Sequence, residues 1–135
     1  MLSWLLLEGR IGRKRYWIRF ALPAVLLWVL AFLLADPWSQ IAGVSAWLIM
    51  SVGIIKRLHD VGWSGWIWIT VFFGGAAVWS GLALILPDLG LGTVAGWIWT
   101  ITVAGVVPLY SGLVPGVPGP NDYGPDPRGA DEPVR

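Results

Sequence analysis

The amino-acid sequence predicts an all-α membrane protein with four transmembrane helices arranged in two hairpins. Three observations predict it: of the 135 residues 56% are hydrophobic, only 13% are charged, and the mean hydropathy is +0.70. A soluble domain carries about 25% charged residues. A chain this apolar buries its surface in lipid, where a helix satisfies all of its own backbone hydrogen bonds.

The apolar stretches give the order of the helices. A helical span takes about 20 residues, and the predicted spans are residues 17–35, 38–55, 66–86 and 91–114. Asp36-Pro37 ends the first span, and the turn-forming residues 87–90 join the third span to the fourth. Pro108 is expected to kink the fourth span. Residues 1–114 are therefore predicted to form one four-helix transmembrane domain.

The end of the chain, residues 115–135, has a different composition. It includes six Pro and four Gly, which disfavours a helix and is typical of extended or disordered chain. Its two Arg stand against four acidic residues, a charge of −2, whereas residues 1–19 hold five basic residues against one Glu, a charge of +4. We therefore expect a Pro/Gly-rich tail outside the membrane.

The basic residues predict the orientation. Residues 1–19 hold five of them, residues 56–65 hold two and the tail holds two, whereas the loops at 36–40 and 87–90 hold none. Basic loops stay in the cytoplasm. Four spans with cytosolic N- and C-termini and a cytosolic central loop satisfy every loop at once.

The sequence Lys-Arg-Leu-His-Asp-Val-Gly-Trp-Ser-Gly-Trp, residues 56–66, is the dense polar stretch between the apolar spans. Lys56 and Arg57 can both extend to the membrane surface. Either can meet Asp60 on one helix face, because residues three or four apart are neighbours there. Gly62 is expected to end the helix in a left-handed conformation.

This polar stretch gives little support to catalysis or metal binding. The chain has one His and no Cys, so we predict no metal site and no cofactor. His59 and Asp60 are adjacent, so their side chains diverge by about 100° on a helix. Together with Ser64 they have the residue types of a hydrolase triad. A triad is defined by the geometry of its side chains and not by residue types close in sequence. No catalytic residue is predicted; His59 is interpreted as an interfacial hydrogen-bonding residue, with pH sensing as the alternative.

Three motifs together carry a resemblance to a known family. They are Gly-Arg-Ile-Gly-Arg-Lys-Arg-Tyr-Trp at residues 9–17, the sequence at residues 56–66, and Pro-Gly-Pro-Asn-Asp-Tyr-Gly-Pro-Asp-Pro at residues 118–127. In this order, with hydrophobic spans between them, they resemble the bacterial family called domain of unknown function 805, whose members are small inner-membrane proteins. The resemblance implies a multi-pass protein of the bacterial inner (cytoplasmic) membrane, and it implies no established activity.

The three motifs are predicted to converge into one polar cluster at the cytosolic face. Arg10, Arg13 and Arg57 are expected to face Asp60, and residues 121–126 to fold back onto the basic residues. The opposite charges of the two chain ends motivate this prediction, because carboxylates pair more strongly with guanidinium groups at a partly dry interface. The predicted members of the polar cluster are Arg10, Arg13, Arg57, His59, Asp60, Asn121, Tyr123 and Asp126.

The predicted function is non-catalytic: an inner-membrane protein that binds partners or lipids through its cytosolic face. Anionic lipid headgroups are expected at the basic residues Arg10, Arg13, Lys14, Arg15, Lys56 and Arg57, each contributing about 1 kcal/mol near the surface. The expected partners are the bilayer itself, anionic headgroups, and a second copy of the chain or a membrane complex. A net charge of +1 gives no argument for nucleic acid.

Two alternatives remain open. A homo-oligomeric pore or transport component could be lined by the hydroxyls of Ser45, Ser51, Thr100 and Thr102. A lipid-headgroup enzyme, the less favoured alternative, would use His59 and Asp60 as acid and base. Ionisable groups at membrane depth, which are usual in transport pathways, are not found in the interior of the predicted spans.

Overall fold

The computed structural model describes residues 8–87 and 90–128, and these ranges contain helices with irregular connections and no β-strand. Four helices are present in this part of the chain: α1 (Arg13–Leu33), α2 (Trp38–Val61), α3 (Trp66–Ile85) and α4 (Leu91–Leu113). Each is long and apolar enough to cross a membrane. The prediction of an all-helical chain with four candidate membrane spans is therefore confirmed.

The helices extend beyond the predicted spans where polar residues flank them. α1 begins at Arg13 instead of residue 17, and α2 continues past the predicted end at residue 55 to Val61. Gly62 follows with a φ of 86°, a left-handed conformation that Gly adopts without steric cost. The prediction that Gly62 ends this helix is confirmed, and residues 56–60 lie on its last turns.

Two π-helical segments interrupt α1 and α4. They cover Trp17–Ala21 and Thr102–Val106, and a proline follows shortly after each of them, Pro23 in α1 and Pro108 in α4. Proline has no N–H, and its ring collides with the carbonyl group one turn earlier. A wider turn relieves that collision without ending the helix. The irregularity expected at Pro108 therefore takes the form of a π-helical segment.

α2 is the most buried helix, and α1 packs along it. Tyr16 and Phe20 of α1 are buried against Met50 and Ile54 of α2. Gly53 permits this close approach, because a Cβ atom at this position would lie only 2.5 Å from Cβ of Phe20. Interfaces between membrane helices favour such small residues, since packing rather than water exclusion holds the helices together.

α3 packs along α4, and small residues again mark the contact. A Cβ atom at Gly92 would collide with the backbone of Ala83, and one at Gly96 would collide with the indole of Trp79. Trp99 also donates from Nε1 to the Phe72 carbonyl at 3.0 Å. The small residues of α4 thus serve packing within the chain.

Many large apolar side chains point outward. Phe32 is 91% exposed and Leu84 is 82% exposed, and much of α1, α3 and α4 has the same character. Apolar exposure on this scale is unusual for a protein surrounded by water. Lipid is the solvent that matches this surface.

The chain beyond α4 does not extend away from the helices. Residues 115–128 are irregular, and the Val117 amide donates to the Asp60 carbonyl at 2.8 Å. Residues 115–128 contain no helix, as predicted, and they fold back onto the helix ends, whereas residues 129–135 lie outside the described residues. Lys56 and Arg57 do not extend to the surface either, since they are 7% and 0% exposed beneath the flanking segments.

Candidate functional site

Asp60, on the last turn of α2, lies between two arginines. Arg10 donates from Nε and Nη2 to Oδ1 of Asp60 at 3.1 and 3.0 Å. Arg57 donates from Nη1 to Oδ2 of the same carboxylate. Asp60 is only 3% exposed, and hydrogen bonds between charged groups are strong in such dry surroundings. The structure thus brings together three of the residues assigned to the polar cluster.

Arg57 also closes the C-terminal end of α4. Its Nε donates to the Ser111 carbonyl at 2.7 Å, its Nη2 donates to the Val114 carbonyl, and its Nη1 donates to the Ile11 carbonyl at 3.1 Å. The last carbonyl groups of a helix lack intrahelical partners and carry the negative end of its dipole. One carboxylate and three carbonyl groups therefore compensate this fully buried guanidinium group.

Two side chains of α1 reach the remaining carbonyl groups at this helix end. Trp17 donates from Nε1 to Gly112 at 3.1 Å, and Arg13 donates from Nη1 to Leu113 at 3.4 Å. Arg13 is exposed, and the described residues give it no ion pair with Asp60. Its position on the first turn of α1 directs it to α4, so it lies at the edge of the polar cluster instead of facing Asp60.

Arg10 holds the tail through backbone carbonyl groups. Its Nη2 donates to Val117 at 2.6 Å, and its Nη1 donates to Gly119 at 2.6 Å and to Gly124 at 3.4 Å. The expectation was that tail carboxylates would bind the basic residues. The tail instead presents peptide oxygens to Arg10, because its turns point these oxygens inward.

His59 forms the second attachment of the tail. Its ring stacks on Tyr123 with the centroids 4.0 Å apart and the planes within 3°. Its Nδ1 lies 3.2 Å from the Gly9 carbonyl oxygen, and its own carbonyl accepts a bond from Asn121 Nδ2 at 2.9 Å. Residues of all three motifs therefore meet at His59, next to the contacts of Asp60.

Asp126 organises the tail internally. Its Oδ2 accepts from the Gly119 amide at 2.8 Å and from Arg128 Nη2 at 2.6 Å, and its Oδ1 accepts from Arg128 Nε at 2.9 Å. The hydrogen bonds from Arg128 hold the pKa of Asp126 below its ordinary value of 3.8. Asp126 therefore pairs with Arg128 and is not bonded to the basic residues at 10–15, where the polar cluster was expected to place it.

Sequence reasoning missed several participants in this site. Gly116 crosses Asp60 so closely that a Cβ atom at this position would overlap the carboxylate. Tyr16 is fully buried and donates from its hydroxyl to the Pro108 carbonyl at 3.0 Å. Trp17 binds the end of α4 through its indole N–H. Tyr16 and Trp17 bind backbone carbonyl groups, which every residue has, and Gly116 contributes only the absence of a side chain, so no side-chain pattern indicates these contacts.

The geometry around His59 and Asp60 differs from that of an acid–base pair. The Asp60 carboxylate faces Arg10 and Arg57, and the His59 ring faces Gly9 and Tyr123. Within residues 8–87 and 90–128, no three His, Cys, Asp or Glu side chains come together as metal ligands. The absence of catalysis, metal and cofactor stays a prediction.

Two of the hydroxyls considered for a pore are bonded to their own helix. Thr100 donates to the Gly96 carbonyl and Thr102 donates to the Ile98 carbonyl, both at 2.8 Å. Threonine commonly satisfies its hydroxyl in this way inside a membrane helix. These two bonds give no support to a hydrated pathway along α4.

A basic cleft of about 120 Å³ opens beside the polar cluster, between the start of α1 and the end of α2. It is lined by four basic and two apolar side chains: Arg10, Arg15, Arg19, Lys56, Ile11 and Phe20. Lys56 is 7% exposed and donates from Nζ to the Glu8 carbonyl at 2.6 Å. In the described part of the chain no carboxylate lines this cleft.

Comparison with known proteins identifies the family of this chain. A family model described as a protein of unknown function (DUF805) matches residues 4–125, a range that contains the first two motifs and residues 118–125 of the third. The comparison with curated proteins and the comparison with solved structures found no match.

Proposed function

The chain belongs to the DUF805 family of proteins of unknown function, and we propose that it is a non-catalytic lipid-binding protein of the bacterial inner membrane. In this proposal the basic cleft binds the anionic headgroup of a phospholipid. The polar cluster holds the N-terminal segment and the tail in place around the cleft. Both termini and the α2–α3 connection face the cytosol.

The orientation is supported by charge and by contacts. The N-terminal segment, the end of α2 and the tail hold all of the basic residues. They meet through the Arg10–Asp60 pair and through the bonds of Arg57 to Ser111 and Val114, so they lie at one end of the helices. Basic segments are retained in the cytoplasm, which supports a cytosolic position for that end.

The observation that carries the proposal is the convergence of four cations on a cleft that no carboxylate of residues 8–87 or 90–128 lines. Arg10, Arg15, Arg19 and Lys56 line this cleft together, and Arg10 also binds Asp60. Cations this close repel one another, and a phosphate group offers the opposite charge and several acceptor oxygens. Phe20 and Ile11 add an apolar wall next to these charges, as the junction of a headgroup and its acyl chains requires.

The position of the cleft also favours a lipid over a soluble anion. Arg19 lies on α1 within a candidate membrane span, and Lys56 lies near the end of another. Their side chains therefore line a cleft at the level where a helix leaves the hydrocarbon region. Phosphates of the cytoplasmic leaflet are concentrated at this depth.

The test compares two single-charge variants on the same helix. Arg19→Gln removes an exposed cation that lines the cleft, and Lys14→Gln removes an exposed cation that does not line it. We expect native mass spectrometry to show about five-fold weaker retention of phosphatidylglycerol in Arg19→Gln, since each basic residue near the surface is worth about 1 kcal/mol. Lys14→Gln is expected to retain the lipid as the wild type does.

Other outcomes would contradict the proposal. Equal losses in both variants would show attraction of the whole basic segment for the membrane instead of a built site. Equal retention of phosphatidylethanolamine and phosphatidylglycerol would show that the cleft does not select an anionic headgroup. Companion proteins that remain bound in place of lipid would indicate an accessory subunit of a membrane complex.

A further inference from the structure

The basic cleft carries an excess of positive charge. Three of its side chains each bring one charge: Arg15, Arg19 and Lys56. Arg10 adds to them, because Arg10 and Arg57 share the single carboxylate of Asp60. The Glu8 carboxylate attracts Lys56 from outside the lining. Among the side chains that line the cleft and the partners named here, cations therefore outnumber carboxylates.

A phosphodiester headgroup leaves much of this charge uncompensated. It carries one negative charge and two terminal oxygens, whereas a phosphomonoester carries a charge of about −1.5 to −2 at neutral pH and three acceptor oxygens. Opposite charges within a few ångströms attract one another more strongly at a partly buried site than in water. The charge of the cleft therefore favours a phosphomonoester.

The donors at the cleft suit several terminal oxygens on one phosphorus atom. Arg19 is exposed, and a guanidinium group carries five N–H donors. An ammonium group carries three, and Lys56 donates from Nζ to the Glu8 carbonyl at 2.6 Å. Arg10 differs from both, because its N–H groups are directed to Asp60 and to carbonyl groups of the tail. Arg10 therefore adds charge to the cleft, while Arg19 and Lys56 supply hydrogen bonds.

An apolar stripe continues from the cleft along α1. It is formed by Leu22 and Leu26, which are 55% and 59% exposed, and Leu22 follows Arg19 by three residues. Side chains three or four residues apart lie on one helix face, so a hydrocarbon chain attached to a phosphate at Arg19 would lie along this stripe. A soluble phosphomonoester has no group that covers it. The apolar stripe therefore favours a lipid as the carrier of the phosphate.

We propose that the basic cleft selects the phosphomonoester headgroup of a lipid, the class to which phosphatidic acid belongs, over phosphodiester headgroups. This inference rests on the proposed function of the cleft as a headgroup site. The terminal phosphate oxygens accept hydrogen bonds from Arg19 and Lys56, and the charges of Arg10 and Arg15 add attraction. One hydrocarbon chain of the lipid lies along the apolar stripe of α1.

The experiment competes two lipids that differ in the headgroup alone. Phosphatidic acid and phosphatidylglycerol with identical acyl chains are offered in equal amounts to the delipidated full-length protein at about pH 8, and native mass spectrometry measures the retained lipid. We expect the wild type to retain about five-fold more phosphatidic acid, the factor that one additional charge near the membrane surface implies. At about pH 5 the free monoester has lost its second charge, and the preference is expected to fall.

Two variants separate this inference from the proposed function. Arg19→Gln is expected to reduce the preference, and Lys14→Gln, which removes an exposed cation outside the cleft, is the matched control that keeps it. Equal retention of the two lipids by the wild type, with both losing retention in Arg19→Gln, would overturn the inference and leave the headgroup site intact. A preference unchanged at about pH 5 would overturn it too. Retention that does not depend on Arg19 would overturn both.

Two further ligands test the source and the number of phosphate groups. Glycerol 3-phosphate carries a phosphomonoester without acyl chains, and at equal concentration we expect it to leave phosphatidic acid bound. Displacement by glycerol 3-phosphate would assign the cleft to soluble phosphomonoesters. Cardiolipin carries two phosphodiesters, and we expect less of it than of phosphatidic acid to be retained. Displacement by glycerol 3-phosphate or a preference for cardiolipin would each overturn the inference.

Discussion

Arg57 and Asp60 lie one turn apart on α2, and their buried ion pair joins four segments of the chain. Arg57 takes its other partners from the end of α4 and from Ile11, and Asp60 takes its other partner from Arg10. The Asp60 backbone carbonyl receives the Val117 amide of the tail. The loss of one carboxylate therefore affects every segment at this end of the protein.

Asp60→Ala is expected to destabilise the protein strongly. It leaves two buried guanidinium groups without their carboxylate, and the removal of one partner of a buried pair costs about 3–5 kcal/mol. The free energy of unfolding, measured by denaturing-detergent titration in micelles, is expected to fall by this amount. The matched control is Asp126→Ala, which removes a carboxylate whose ion pair with Arg128 is exposed. An equal loss of stability in Asp126→Ala and Asp60→Ala would show that the buried ion pairs of Asp60 do not stabilise the protein more than the exposed pair of Asp126.

Gly116→Ala is expected to release the tail while leaving the helices intact. A Cβ atom at Gly116 would overlap the Asp60 carboxylate, and that carboxylate is held by two arginines and cannot move aside easily. Limited proteolysis of residues 115–128 is expected to become faster. Gly105→Ala provides the control, because a Cβ atom there meets nothing within 4 Å. Unchanged proteolysis in Gly116→Ala would show that the tail is not packed against Asp60.

The cytosolic orientation can be tested in this cysteine-free chain by placing one cysteine at a time. Asp122→Cys, an exposed position in the tail, is expected to resist a membrane-impermeant thiol reagent in intact cells and to react after lysis. Leu91→Cys, an exposed position at the start of α4, is expected to react in intact cells. The reverse pattern would place the basic cleft on the outer side and remove the charge argument for its orientation.

The pH dependence of Asp126 can be followed by NMR of its carboxyl carbon. Hydrogen bonds from Arg128 hold the pKa of Asp126 below 3.8, so the bonded, charged form persists at pH 3.8. A carboxyl with a depressed pKa stabilises the fold above its unfolded-state pKa, and this contribution disappears as pH falls through the folded-state pKa. We expect the wild-type midpoint to lie below 3.8 and the Arg128→Gln midpoint to move upward. Equal midpoints would show that the Arg128 bonds are absent in solution.

The helices were predictable because their signals lie in single side chains and in short local patterns. Hydropathy located four spans, and Gly62 marked the end of α2 through its backbone freedom. The π-helical segments were not predictable in detail, because Pro23 and Pro108 indicate an irregular turn without specifying its form. Hydropathy alone places the end of a span at a basic residue. Helix starts such as Arg13 were missed for this reason.

The site was predictable only in its charged part. Arg10, Arg57 and Asp60 could be grouped by sign and by helix spacing, and the structure places them together. The bonds from Arg57 to Ser111 and Val114 could not be anticipated, since every residue has a carbonyl group. Composition likewise predicts that residues 115–128 are extended or disordered. It contains no information on the backbone carbonyl groups that accept hydrogen bonds from one buried arginine.

The docking of the tail at the polar cluster is the central feature of this end of the molecule, and hydrogen exchange of the Val117 amide tests it most directly. This amide donates to the Asp60 carbonyl at 2.8 Å, and the Val117 carbonyl accepts from Arg10. In detergent micelles we expect this amide to exchange at least about ten-fold more slowly than that of exposed Asp122, and Arg10→Gln is expected to abolish the difference. Equal exchange of the two amides in the wild type would contradict the account, because the tail would then be free of the cluster.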